Sequence, residues 1–260
     1  MPDAPSWKRI LLPPEHGGWG FLFEPILLGL LVAPSWPGLA LGLAAVAAFF
    51  TRQPLKLALA DRRRGKRYPR TVRAERAAGA CAAAAALFLA LGLAAAGSEA
   101  ALPLLLAAPL GLVQVVYDAR LETRSVLPEL AGSAALGATA PMLAMADGWS
   151  LPAALGLWGI VLARNVPSIL YARTMVRRLH GEEAPDLPAL AAHVLSALAV
   201  GFAAEQGLVP PALLLVPLLL LFRAAAGLSR GLLPARRLGW GEIAFGLATV
   251  LLAALAYRAG

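Results

Sequence analysis

Long apolar runs alternate with short polar stretches along the whole chain. The runs are 16 to 24 residues long, and a helix of about 20 apolar residues crosses the hydrocarbon core of a bilayer. The pattern therefore predicts nine transmembrane helices separated by short loops. They lie at about residues 18–33, 37–60, 77–97, 101–117, 128–146, 151–171, 188–204, 210–228 and 240–257.

The composition agrees with this pattern. Apolar residues make up 59% of the chain and charged residues only 15%, against about 45–50% and about 25% in soluble domains. Such a surplus exceeds what one core inside a polar surface can bury, which excludes a soluble globular enzyme. The single cysteine, Cys81, excludes a disulfide scaffold. We predict an all-α, polytopic membrane protein in which residues 1–260 form a single transmembrane domain.

The distribution of basic residues predicts the orientation. Of the 23 Lys and Arg residues, 18 fall in the N-terminal segment and in alternate loops, whereas the loops at 33–36, 97–100, 147–150 and 205–210 carry none. Cytoplasmic loops are enriched in Lys and Arg, so we expect a cytoplasmic N-terminus and an external C-terminus. The net charge of +8 then indicates contact with membrane lipids, and we expect no nucleic-acid partner.

Four basic residues, Arg52, Lys56, Arg164 and Arg223, fall inside predicted spans. An arginine at the bilayer centre costs about 2.5–3.5 kcal/mol on insertion scales, so such residues usually face a cavity or a partner. Lys56 and Arg223 lie near the cytoplasmic ends of their spans, where snorkelling to the headgroups is the simpler explanation. Arg52 and Arg164 lie deeper and are the stronger candidates for a polar interior.

Arg52 and Arg164 also share a local pattern. Arg52 and Gln53 precede a proline at position 54, and Arg164 and Asn165 precede a proline at position 167. Proline leaves a helical carbonyl without its donor, and within a bilayer such turns tend to face polar interiors. We therefore predict that the two arginines face one another across a cytoplasm-facing cavity, where two guanidinium groups can grip an anion.

The acidic and amide residues near these arginines complete the candidate site. Glu24 lies well inside the first span, where it is either protonated or paired with Arg52 or Arg164. The chain has three histidines and one cysteine, without metal-ligand spacing, and predicts no metal site; no catalytic residue is assigned. The candidate substrate-binding residues are Glu15, His16, Glu24, Arg52, Gln53, Lys56, Asp61, Gln114, Asp118, Arg164 and Asn165.

Three stretches carry a resemblance to a known family. Residues 13–20 read PPEHGGWG, residues 52–56 read RQPLK, and residues 61–65 read DRRRG. Together they resemble the YwiC-like family of bacterial integral membrane proteins. This resemblance implies a location in the bacterial cytoplasmic (inner) membrane and carries no settled activity.

At the level of the whole chain the sequence also resembles the UbiA superfamily of membrane prenyltransferases, most closely at YDAR in 117–120 and LPELAGS in 127–133. That resemblance implies nine helices around a cytoplasm-facing cavity, with two aspartate-rich motifs that bind magnesium and a prenyl diphosphate. Here the first motif retains Asp61 but has apolar Leu57 and Ala58 in place of its opening pair, and residues 171–178 contain no aspartate. Magnesium requires oxygen ligands, so we expect no cofactor.

Three functions remain open from the sequence. The first is a non-canonical prenyltransferase-like protein for an isoprenoid or lipid phosphate, with arginines in place of metal. The second is a lipid-anion binding or transport protein without catalysis, and the third is a membrane assembly factor. The costly buried cations favour the first two, because both use an anionic isoprenoid or lipid headgroup as ligand. Whether the protein is an enzyme, and which protein partners it has, is left open.

Overall fold

The computed structural model describes residues 7–12, 18–120, 125–230 and 234–259. These residues form α-helices, with two short 3-10 helices at Ser98–Ala101 and Pro211–Leu214 and no β-strand, which confirms the all-α prediction. The α-helices are α1 (Trp7–Leu11), α2 (Gly18–Val32), α3 (Trp36–Arg63), α4 (Pro69–Ala96), α5 (Leu102–Arg120), α6 (Val126–Gly137), α7 (Thr139–Ala146), α8 (Leu151–Leu179), α9 (Leu187–Glu205), α10 (Leu215–Ser229) and α11 (Ala235–Ala259).

Seven helical stretches in the described residues are long and apolar enough to cross a membrane: α3, α4, α8, α9 and α11, together with α5 and α10 and the 3-10 helices before them. Their outer faces are apolar, as in α9, where Leu195, Leu198 and Phe202 are each 64% exposed. Backbone groups paired within helices and apolar outer faces suit a lipid surrounding. The chain is thus a multi-pass membrane protein, whereas the count of nine spans stays a prediction.

The structure does not form a single helix of membrane-spanning length at the other two predicted spans. The helix α2 has 15 residues, or about 22 Å at 1.5 Å per residue. The predicted span at 128–146 is divided at Ala138 into α6 and α7. Pro141 has no N–H to donate to the carbonyl of Gly137, and it lies in the first turn of α7, where a helix does not require that hydrogen bond. The structure therefore replaces the single predicted helix by two short ones.

The helix α7 lies at the centre of the molecule. Residues 139–144 are all buried, and α7 packs against α2, α3 and α8. Small residues allow this close packing: a Cβ atom added to Gly29 of α2 would lie 2.8 Å from Cβ of Leu143. In α3, a Cβ atom on Gly42 would lie 3.3 Å from Cγ2 of Ile26. The candidate site residues of α2, α3 and α8 are held around this centre.

Candidate functional site

Arg52 of α3 forms a two-point ion pair with Asp118 of α5. Its Nε and Nη2 atoms donate to the two carboxylate oxygens of Asp118, at 2.5 and 2.9 Å. The Arg52 side chain is 30% exposed and that of Asp118 is 11% exposed. The guanidinium group is therefore paired with the Asp118 carboxylate and still reaches the surface of the helix bundle.

Gln114, one turn before Asp118 in α5, orients the Asp118 carboxylate. Its Nε2 atom donates to Oδ1 of Asp118 at 3.1 Å. Gln114 lies against Gly132 of α6, where an added Cβ atom would be only 2.4 Å from Oε1 of Gln114. The glycine thus provides the room in which Gln114 reaches Asp118.

Two further predicted residues lie on the same stretch of α3. Gln53 and Lys56 are both half-buried, and Lys56 follows Arg52 by one helical turn towards the end of α3. We call Arg52, Lys56, Gln114 and Asp118 together the Arg52 site. It combines two cationic groups, one amide and one carboxylate at a partly exposed position, whereas contact of Gln53 with a substrate stays a prediction.

Asp61, near the end of α3, has a different environment. Arg70 donates to both of its carboxylate oxygens, at 2.6 and 3.0 Å, and Thr71 donates to one of them at 2.7 Å. The residue is only 2% exposed, and its main-chain carbonyl accepts a hydrogen bond from the main-chain N–H of Lys66. Asp61 therefore joins the end of α3 to the start of α4, and its proposed contact with a substrate stays a prediction.

Glu24 of α2 pairs with Arg164 of α8 in the interior. The Nη2 atom of Arg164 lies 3.0 Å from Oε1 of Glu24 and also donates to the main-chain carbonyl of Glu242 at 2.8 Å. The two side chains are 10% and 5% exposed. Of the alternatives left open for Glu24, the structure shows the ion pair with Arg164.

A glycine of α11 makes room for this ion pair. A Cβ atom added to Gly246 would lie 1.9 Å from Oε1 of Glu24 and 2.7 Å from Nη2 of Arg164. No real side chain tolerates such distances. The helices α2, α8 and α11 therefore approach one another only because position 246 lacks a side chain.

Arg223 of α10 forms a second interior ion pair, with Glu242 of α11, and the two side chains are 11% and 19% exposed. Its Nη2 atom also donates to Oγ of Ser168 at 3.2 Å, and its guanidinium carbon lies 4.2 Å from the ring centre of Tyr171 and 5.2 Å from that of Phe245. The prediction that Arg223 snorkels to the headgroups is wrong, because a carboxylate and two aromatic rings hold its charge inside the bundle.

Glu242 links the two ion pairs, since its carbonyl contacts Arg164 and its carboxylate contacts Arg223. We call Glu24, Arg164, Ser168, Arg223 and Glu242 the buried charge network. Sequence reasoning missed Glu242 and Ser168. The signal for Glu242 was Arg223 itself, because a cation in an apolar helix requires a counter-charge from a neighbouring helix.

The predicted site residues thus fall into separate groups. Arg52 and Arg164 have different carboxylate partners, and the Arg52 site and the buried charge network share no residue. The cavity beside Arg164 has a volume of only about 10 Å³. The wide cytoplasm-facing cavity and the anion held jointly by the two arginines therefore stay predictions. Glu15 and His16 lie outside the described residues.

Asn165, beside Arg164 in α8, is 1% exposed, and neither of its side-chain polar atoms has a hydrogen-bonding partner among the described residues. His193 of α9 is fully buried, and its Nδ1 atom lies 2.7 Å from the carbonyl of Ala189, consistent with a structural role. In the described part of the chain, no cluster of three or more His, Cys, Asp or Glu side chains is arranged to hold a metal ion. The expectation of no metal stays a prediction.

The comparisons with known proteins bear on the first half of the chain. No curated protein and no solved structure matches the chain, so the resemblance to the UbiA superfamily stays a prediction from the sequence. The family model described as YwiC-like protein matches residues 12–144, which is just over half of the 260 residues. The match includes all of the Arg52 site and Glu24, and ends before α8. The chain belongs to the YwiC-like protein family.

Proposed function

We propose that this protein binds the phosphate group of an isoprenoid or other lipid at the Arg52 site. The observation that supports this proposal is the two-point contact of Arg52 with Asp118 at a partly exposed position. Arginine presents a planar pair of N–H donors that matches two oxygens of a carboxylate or a phosphate equally well. Asp118 thus occupies the position that a phosphate would take, and an incoming phosphate displaces it.

The surroundings of Arg52 suit a lipid phosphate better than a free phosphate ion. Lys56 adds a second cation one helical turn away from Arg52. On the same helix Leu55 and Leu59 are 42% and 38% exposed, which provides apolar surface for a hydrocarbon chain. A ligand with a charged head and an apolar tail satisfies both kinds of surface.

Binding without metal-assisted transfer is the form that we favour. Magnesium sites for phosphate ligands usually use one or two carboxylates, and the two oxygens of Asp61 already accept hydrogen bonds from Arg70 and Thr71. Asp118 is likewise engaged by Arg52 and Gln114. We therefore expect phosphate binding to persist in EDTA.

The proposal includes an orientation in the bacterial cytoplasmic membrane. Arg62 and Arg67 lie at or near the turn between α3 and α4, where both pair with Glu75, and such basic turns favour the cytoplasmic side. The Arg52 site then opens towards the cytoplasm. A reporter fused after Gly65 should be cytoplasmic and one fused after Gly97 external; the opposite pattern would refute the orientation.

The binding experiment compares three ligands on the full-length protein in phosphatidylcholine nanodiscs. Farnesyl monophosphate is the isoprenoid ligand, dodecyl phosphate is the straight-chain ligand, and farnesol lacks the phosphate. Isothermal titration should show binding of one or both phosphates and at least about tenfold weaker binding of farnesol, because a charge-assisted pair is worth at least about 1.4 kcal/mol. Equal affinity for farnesol would refute phosphate recognition.

The variant Arg52→Gln tests the site itself. It should weaken binding of farnesyl monophosphate at least about tenfold, since the amide lacks both the charge and the paired donors. The matched control is Arg76→Gln, which removes the same charge from an exposed position in α4. If both variants bind alike, the phosphate does not bind at Arg52.

A further inference from the structure

Asn165 has an unusual position for a polar residue in a membrane protein. It is the only asparagine among the 260 residues, and it is 1% exposed. Both Oδ1 and Nδ2 are buried, and neither has a hydrogen-bonding partner in the part of the chain that the structure describes. Buried side-chain polar atoms are hydrogen-bonded in the large majority of cases, to protein or to ordered water. The partner of this amide must therefore come from something other than the described protein atoms.

A small cavity lies beside this amide. It is enclosed by α2, α8 and α11, and its polar lining residues are Glu24, Arg164, Asn165 and Thr249. Its volume is about 10 Å³, which is close to the roughly 10–15 Å³ that one water molecule requires. The Nε atom of Arg164 is also buried without a partner. Two neighbouring residues thus contribute unpartnered polar groups at a space of the right size.

The charges around the cavity determine the class of ligand. A cation is opposed by the guanidinium group of Arg164, and an anion is opposed by the carboxylate of Glu24. A neutral molecule that both donates and accepts hydrogen bonds suits Asn165, whose amide does the same. We propose that this cavity is a binding site for one water molecule, which Asn165 holds beside the Glu24–Arg164 ion pair.

The local helix geometry supports the same conclusion. Pro167 has no N–H, so the carbonyl of Ala163, four residues earlier in α8, lacks its usual helical donor. In membrane helices, ordered water is one of the means by which such freed backbone groups are satisfied. The turn of α8 that contains Asn165 therefore has a backbone carbonyl without its usual helical donor, which is the kind of site where membrane helices hold ordered water.

The single asparagine makes the proposal directly measurable. Full-length protein labelled with [¹⁵N]asparagine and placed in a lipid bilayer has one asparagine side-chain amide signal. Water-edited solid-state NMR then compares transfer of magnetisation from water to Nδ2 and to the main-chain nitrogen of the same residue, which lies within α8. We expect transfer to Nδ2 to be at least threefold faster. Equal rates for the two nitrogens would overturn the proposal.

Two variants test whether the water lies in this cavity. Val250→Ile and Val161→Ile each add one methylene to a residue that lines the cavity, from α11 and α8 respectively. Each should slow the transfer to Nδ2 to the main-chain rate. The matched control is Val216→Ile, which alters a buried residue of the same apolar cluster outside the cavity lining and should leave the fast transfer unchanged. Fast transfer that persists in both lining variants would overturn the assignment to this cavity.

Discussion

The Arg52 site and the buried charge network begin from the same local pattern and differ in what surrounds them. Each contains an arginine followed by an amide residue and then a proline in a long helix. The Arg52 side chain is 30% exposed and pairs with Asp118, whereas that of Arg164 is 5% exposed and contacts both Glu24 and the carbonyl of Glu242. The comparison shows that the same sequence pattern can give a partly exposed arginine in one helix and a buried ion pair in another.

The reason lies in the position of the two helices. In α8, 56% of the apolar stretch is buried within the bundle, against 39% in α3. Residues of α2, α8 and α11 surround Arg164 and Arg223, whereas Arg52 pairs with a residue of α5. A charge enclosed on all sides must be neutralised inside the protein, whereas a partly exposed charge remains available to a ligand.

The largest expected effect comes from breaking the interior ion pair. Glu24→Leu leaves the buried guanidinium of Arg164 without its carboxylate, and removing one partner of a buried pair costs about 3–5 kcal/mol. The free energy of unfolding in micelles should fall by that amount. Glu182→Leu is the control, because its ion pair with Arg177 is exposed and such pairs are worth about 0–1 kcal/mol. Similar losses of unfolding free energy in both variants would contradict the expected difference between a buried and an exposed ion pair.

A somewhat smaller loss is expected from Gly246→Ala. The added methyl group would occupy the space of the Glu24 carboxylate and force the ion pair apart, at about 1–3 kcal/mol for overpacking. Gly239→Ala in the same helix has open space around it and should leave the free energy of unfolding nearly unchanged. Thermal unfolding of both variants in the same detergent measures the difference. A Gly246→Ala variant as stable as the parent would show that α11 can move away at no cost.

The Arg52 site should respond to Asp118→Asn by a gain of binding. The change removes the carboxylate that competes with phosphate for Arg52, so affinity for farnesyl monophosphate should rise about tenfold, or about 1.4 kcal/mol. Glu129→Gln is the control, since Glu129 pairs with Arg173 instead. Titration of both variants measures the effect, and weaker binding by Asp118→Asn would mean that Asp118 supports the ligand.

The smallest effect is expected from Gly132→Ala, which acts on Asp118 through Gln114. The added methyl group would displace Gln114, and loss of one hydrogen bond to Asp118 should raise phosphate affinity only about threefold. Gly111→Ala is the control, because the nearest atom to its added Cβ lies 4.0 Å away. A change in unfolding free energy without any change in affinity would show that Gln114 has a packing role alone.

Part of the candidate site was predictable from single residues. The cost of burying charge identified Arg52 and Arg164 as candidates, and it named Glu24 as a possible partner. The same reasoning failed for Arg223, which was assigned to the headgroups because it lies near a helix end. It also passed over Glu242, whose position early in the last apolar segment does not reveal that it points towards α10 and α8.

The sequence by itself determined the all-α class, the positions of most of the long apolar helices and the membrane class of the protein. These features depend on hydrogen bonds within four residues and on the transfer of each segment into lipid, both of which are local. Only the tertiary structure decided which charged side chains form ion pairs with one another. Arg52 and Asp118 are 66 residues apart and Glu24 and Arg164 are 140 apart, so their pairing follows from how the helices pack. That packing depends on close approaches such as the one at Gly246, where the fit of three helices determines the result.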